Sequence, residues 1–177
     1  TVFELGQLES GETFLVHAGA SGVGTTAVQM AKSVGARVLF TVGTDQKIDL
    51  VRGIGGDLGI NYQTQDFVAE ALGVLGESGV DLIQDLVGGD YLMRNLELLS
   101  PAGRLVLVGA LRGETSELSI GLMLKKRLKV FGFTLRAQKL EDKRRIVSRV
   151  EQRWLPKYID GTIEPVIHCA IPFREVH

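Results

Sequence analysis

Short apolar runs alternate along this chain with longer stretches of helical periodicity. Phe14-Leu15-Val16 has the length of a buried strand, and a first strand is expected over 13–17. Val28, Met30, Ala31 and Val34 follow at helical spacing, which predicts a helix over about 22–34, stopped by Gly35. The same alternation then repeats. Residues 37–42 are β-branched and aromatic, as strands prefer, and Gly43 ends them. A helix is expected over 45–54 with Thr44 or Asp45 as its cap. Strand three is expected at 60–62, a helix at 66–75 and strand four at 80–85. Gly88-Gly89 leads into a helix over 90–99, closed off by Pro101-Ala102-Gly103. Strand five is expected at 104–108, a helix at 118–126 and strand six at 128–134. Residues 2–8 have the pattern of a short helix.

Six strands alternating with helices predict an α/β fold, a doubly wound parallel sheet of the Rossmann type with strand order 3-2-1-4-5-6. The pattern changes after residue 135. Residues 139–159 form a charged helical stretch in which Ile146, Val150 and Trp154 share a face and Pro156 kinks or ends the helix. Residues 163–171, bracketed by Pro165 and Pro172, are expected to form an edge strand.

The 177 residues suffice for a core, and a net charge of −1 gives no reason to expect nucleic acid or an anionic membrane as partner. No apolar run reaches the roughly 18–20 residues of a membrane span. The single cysteine, Cys169, excludes an intrachain disulfide and favours a reducing compartment, hence the cytoplasm. The basic run Lys125, Lys126, Arg127 and Lys129 is expected to complement a helix C-terminus rather than to bind a polyanion.

The candidate chemistry lies between strand one and its helix, in Ala18-Gly19-Ala20-Ser21-Gly22-Val23-Gly24. Strand, small-residue loop and helix open a dinucleotide-binding unit. A pyrophosphate there must reach backbone N–H groups at a helix N-terminus, and a Cβ in the way would hold it off. Gly19 and Gly24 take the first and third places of G-x-G-x-x-G. Ser21 stands at the second, with Gly22 beside it.

A chain selecting NAD usually carries a carboxylate at the end of strand two. Here Gly43-Thr44 stands in that place, so a 2′-phosphate meets no repulsion. Lys47 lies one turn on to pair with it, and the Thr44 hydroxyl can donate to it. The residues therefore favour NADP(H) over NAD(H). The competing reading makes Lys47 a solvated lysine, while Asp45 could bond a ribose hydroxyl and keep NAD tolerated. Tyr62 closes strand three at the carboxyl edge, either to meet the adenosine or as an ordinary half-buried tyrosine. Small residues end strands four and five, Gly88-Gly89 and Gly109-Ala110, where a ligand crossing the strand tips needs room.

Six segments in order, HAGASGVGTTAVQMAK, GTDQK, INYQTQDF, DLIQDLVGGDY, LSPAGRLVLVGAL and FGFTLRAQ, resemble the cofactor domain of the zinc-independent quinone oxidoreductases in the medium-chain dehydrogenase/reductase superfamily. The resemblance implies that Ser21, Gly22 and Val23 lie along the pyrophosphate. Thr44, Lys47 and Tyr62 would hold the 2′-phosphate. Gly109 and Ala110, with Phe133, Thr134 and Leu135, would line the nicotinamide end. It further implies metal-free hydride transfer from NADPH to a quinone or another enone or carbonyl acceptor. Residues 1–136 would then be the NADP-binding domain and 137–177 a return segment packing on a GroES-like substrate domain absent from this sequence. The family's Glu-Ala-His ending is entered at Glu175-Val176-His177. Without the substrate domain the chain is expected to bind cofactor but not necessarily to turn over.

No catalytic acid or base stands out. His17 and Asp85 end strands one and four and read as structural, and His17, His168, His177 and Cys169 lack metal-ligand spacing, so no metal is expected. Two rival functions are an enoyl reductase portion of a multidomain synthase and a non-catalytic NADP-binding module. A homodimer paired through strand six would cover that strand's open edge.

Overall fold

In a computed structural model that describes residues 1–176, six strands form one sheet in the order β3-β2-β1-β4-β5-β6, every neighbouring pair parallel. The strands are β1 (Thr13–Val16), β2 (Arg37–Val42), β3 (Leu58–Asn61), β4 (Val80–Asp85), β5 (Leu99–Leu107) and β6 (Lys129–Gly132). The helices are α1 (Gly22–Ser33), α2 (Asp45–Gly53), α3 (Phe67–Leu75), α4 (Tyr91–Leu98), α5 (Ile120–Lys126), α6 (Leu140–Arg153) and α7 (Leu155–Ile159). This is the doubly wound order expected from the alternation, and it opens a crevice where β1 and β4 lead away in opposite directions.

Both faces of the sheet are covered, which is why the strands read as continuous apolar runs. Phe14, Val16, Val38, Phe40, Leu82 and Val106 face α1 and meet Ala27, Val28 and Ala31. Leu15, Leu39, Ile60, Ile83 and Leu105 face the other way, onto Phe67 and Ala71 of α3 and Leu96 of α4. Burying each of the larger side chains stabilises the fold by about 1.5–3 kcal/mol.

Three local expectations are corrected. Residues 2–8 form hydrogen-bonded turns rather than a helix: Leu5 N–H and Gly6 N–H both donate to Thr1 O, and Gln7 takes a left-handed φ of 48° that stops propagation. Pro101-Ala102-Gly103 lies inside β5 instead of capping α4. Leu99 already pairs with Val80, and the register then shifts before Leu82 meets Arg104, so the proline sits at a bulge that needs no N–H. Residues 163–171 form no strand. Pro165 offers no N–H there, and the Glu164 backbone is taken by a side chain, its N–H donating to Gln29 Oε1 (2.8 Å) while its carbonyl accepts from Gln29 Nε2 (2.9 Å).

The first turns are fastened through Arg104, whose guanidinium bonds Glu12 (2.7 Å) and donates to the carbonyls of Gly6, Gln7 and Asp81. The long helical stretch breaks at Trp154, with Pro156 in the first turn of α7. Trp154 is buried against Phe3, ring centroids 4.5 Å apart, so α6 lies back against the start of the chain. His177 lies outside the described residues.

Candidate functional site

The turn from β1 into α1 is built by three small residues with different tasks. Ala18 adopts φ 54°, a left-handed conformation that lets the chain double back. At Gly24 a Cβ would stand 2.3 Å from Ala18 O and 2.7 Å from Gly19 Cα, so only glycine lets the helix start this close to the loop. At Gly22 a Cβ would meet nothing within 4 Å; its surface faces open space. Ser21 is the N-cap, its Oγ accepting from Gly24 N–H at 3.0 Å. The N–H groups of Gly22 and Val23 have no protein partner among the described residues. Two free donors at the positive end of a 12-residue helix make a corner suited to an anion.

A cleft of about 200 Å3 opens beside this corner, lined by Ala18, Ala20, Ser21, Val42, Gly43, Lys47 and Tyr62. Tyr62 crosses the end of β2 so closely that a Cβ on Gly43 would lie 2.9 Å from its hydroxyl. Thr44, not Asp45, caps α2: its Oγ1 accepts from Lys47 N–H at 3.4 Å. The Lys47 ammonium is exposed and pairs with no carboxylate among the described residues. Asp45 is engaged, its Oδ1 accepting from Asn61 Nδ2 at 2.8 Å.

A second cleft, about 260 Å3, is walled by Val23, Leu86, Val108, Phe133, Thr134 and Leu135, with Gln84 on its floor. Thus Ser21, Lys47 and Tyr62 come together at one end of α1, and Val23 meets Phe133, Thr134 and Leu135 at the other side of its tip. Gly109 and Ala110 fall elsewhere, in a cavity of about 400 Å3 with Gly88 and Gly89. Gly109 is small because a Cβ would approach Leu86 O to 2.6 Å; it serves the packing of two strand exits.

Behind the strand tips lies a buried chain of polar groups. His17 Nε2 bonds Asn95 Oδ1 (2.8 Å), Asn95 Nδ2 donates to Asp85 Oδ2 (3.0 Å), and Asp85 Oδ1 accepts from the N–H groups of Val87 (2.6 Å) and Gly88 (3.1 Å). Asn95 thus spends its donor on Asp85 and must accept from His17, which fixes the Nε2–H tautomer and leaves Nδ1 to accept from Thr41 Oγ1 at 3.0 Å. Burial pushes the His17 pKa below its ordinary value, against the pull of Asp85 and Asn95, so the ring is neutral. Phe67 and Tyr91 flank it edge-on. Nothing here reaches either cleft, so the network positions elements.

Lys126 caps a helix, though not its own: its Nζ donates to the carbonyls of Glu97 (2.6 Å) and Leu99 (2.7 Å) at the end of α4. Gln84 was not singled out by sequence reasoning. The available signal was a lone amide among the apolar residues of strand four, on the same alternation as Leu82.

A parallel sheet in this order, with a capped glycine turn delivering α1 to its switch point, defines a Rossmann-type nucleotide-binding fold. The chain belongs to the zinc-binding dehydrogenase family, whose model matches residues 22–152. Among its relatives are the highly reducing polyketide synthase cm3B of Cordyceps militaris, 29% identical over 99% of this chain and 7% of that protein, and the NADP-dependent oxidoreductase RED1 of Cochliobolus heterostrophus, 31% identical over 94% of this chain and 49% of that protein. The crystal structure of Escherichia coli quinone oxidoreductase complexed with NADPH superposes with a TM-score of 0.82 at 29% identity, covering 94% of this chain and 51% of that one. The chain therefore spans about half the length of the free-standing oxidoreductases it matches and a small part of the synthase. Despite the family's name, no group of three or more His, Cys, Asp or Glu among the described residues is arranged to hold a metal. No helix of the described residues is long and apolar enough to cross a membrane.

Proposed function

We propose that this chain is the NADP(H)-holding part of a reductase that delivers hydride from NADPH to a quinone or another enone or carbonyl acceptor without using a metal. Residues 1–136 form the cofactor-binding body in this reading, and 137–177 the return segment that packs on a substrate domain. The observation that carries it is the cleft at the end of β2, where Lys47 and Tyr62 converge on Gly43 and the Ala18–Ser21 turn while the neighbouring carboxylate, Asp45, is held by Asn61. A 2′-phosphate there gains an ammonium partner, a charge-assisted bond. The Gly22 and Val23 N–H groups take the pyrophosphate. Val23 and Phe133–Leu135 bound the space left for the nicotinamide, whose reduced ring is the hydride source. The NADP-dependent relative and the NADPH-bound neighbour support this choice of cofactor.

Thermal unfolding with NADPH and with NADH tests the reading directly. NADPH at 100 times its Kd stabilises by about 2.7 kcal/mol, and NADH at the same concentration by clearly less. Equal shifts would remove the case for Lys47. A second acceptor class is favoured by the synthase relative, which matches nearly the whole chain: enoyl thioesters on a carrier domain. A panel of quinones and enoyl thioesters, presented to the longer protein that contains this chain, separates the two.

A further inference from the structure

Gln84 is a buried polar side chain at the crevice whose chemistry the site leaves unused. It lies on the α1 face of the sheet, with Val16 and Val106 as its strand neighbours, among residues that are otherwise apolar. The residue is 2% exposed, and its Oε1 has no hydrogen-bond partner among the described residues. A buried amide oxygen without a donor is costly, and a leucine at the same place would avoid that cost. The residue nonetheless borders open space. Gln84 lines the cleft formed by Val23 and Phe133–Leu135, and also the adjoining cavity of about 380 Å3 beneath the first turn of α1. Val23, Leu86, Val108, Phe133 and Leu135 give the cleft largely apolar walls, with Thr1 and Thr134 also on its lining, so a flat ring can lie against Val23 while one polar edge faces Gln84.

We propose that Gln84 is a positioning residue for the nicotinamide, its carbonyl oxygen accepting a hydrogen bond from the carboxamide N–H and so fixing which edge of the ring points into the sheet. The inference rests on the NADP(H) reading of the crevice. Once the ring is anchored by that bond, its rotation about the glycosidic bond is restricted and one face is held toward Val23. Face selection in hydride transfer would thereby depend on a residue of β4 rather than on the loops alone.

The test uses the chain as it stands, with three ligands and two variants, Gln84→Met and Gln84→Leu. The ligands are NADPH, its 3-acetylpyridine analogue, in which a methyl replaces the carboxamide NH2, and 2′,5′-ADP, which lacks the nicotinamide half. One hydrogen bond should make the wild type bind NADPH about 3- to 10-fold more tightly than the acetyl analogue. Both variants should bind the two dinucleotides equally, with affinity for 2′,5′-ADP unchanged. The ligand-free variants should melt at the same temperature or higher, since an orphaned acceptor has been removed. Discrimination that persists in the variants, or is missing from the wild type, overturns the proposal. So does a clear loss of thermal stability in both variants, which would mean that the amide serves the fold. Failure of the wild type to bind 2′,5′-ADP would instead overturn the NADP(H) reading on which the proposal stands.

Discussion

Two glycines two residues apart in the α1 turn are small for opposite reasons. The space at Gly24 is filled by the protein's own backbone; the space beside Gly22 is empty. Gly24→Ala should therefore cost about 1–3 kcal/mol through overpacking, read as a lower denaturant midpoint. Gly22→Ala should leave stability unchanged or raise it by up to about 1 kcal/mol, through better helix propensity, while weakening NADPH binding because the methyl stands where the pyrophosphate must approach. An alanine at 22 that binds NADPH as tightly as the parent would place the anion elsewhere. The sequence displayed this set of small residues plainly, but not the division of labour among them. The left-handed residue is Ala18 rather than a glycine, and the orphaned amide is Gln84. Both depend on what the folded chain brings alongside, which a linear pattern does not contain.

At the level of elements, one buried histidine joins four of them: His17 at the end of β1, Thr41 in β2, Asn95 in α4 and, through Asn95, Asp85 in β4. Because burial depresses the His17 pKa, the unfolded chain binds the extra proton first as acid is added. Stability is complete above the unfolded value near 6.5 and falls as pH drops below it, by at most about 1.4 kcal/mol per pH unit. Urea midpoints measured from pH 6.5 to 5 should decline in the wild type and stay nearly flat in His17→Gln, which starts lower because it cannot reproduce both bonds. A wild-type midpoint that is flat over this range would contradict a neutral, clamped ring. Element type and order were legible from apolar runs and their spacing, since a parallel sheet buried on both faces writes continuous hydrophobic strands. The misread segments were those governed by tertiary partners. Residues 2–8 answer to Arg104, Pro101 sits at a register shift, and residues near 164 answer to Gln29.

For the molecule as a whole, the sheet's two rims differ. β3 is covered along most of its length, whereas β6 leaves Val130 and Phe131 only half-buried and pairs on one side alone. We propose that two copies join through β6, which satisfies the open rim and continues the sheet across a two-fold axis. Sedimentation at micromolar concentration should give a dimer, and Val130→Pro should shift it toward monomer. A wild-type monomer at every concentration would argue against the pairing. The chain's other long-range closure is the return of α6 onto the start of the chain, where Trp154 packs on Phe3 beneath the Arg153 guanidinium, 4.9 Å from the indole centroid. Trp154 is also the sequence's single tryptophan. Its emission therefore monitors this one seam: a red shift reports water reaching the indole as α6 lifts away, while far-UV circular dichroism reports helices and strands together, so a red shift with the dichroism largely kept marks a peeled tail and loss of both a melted body.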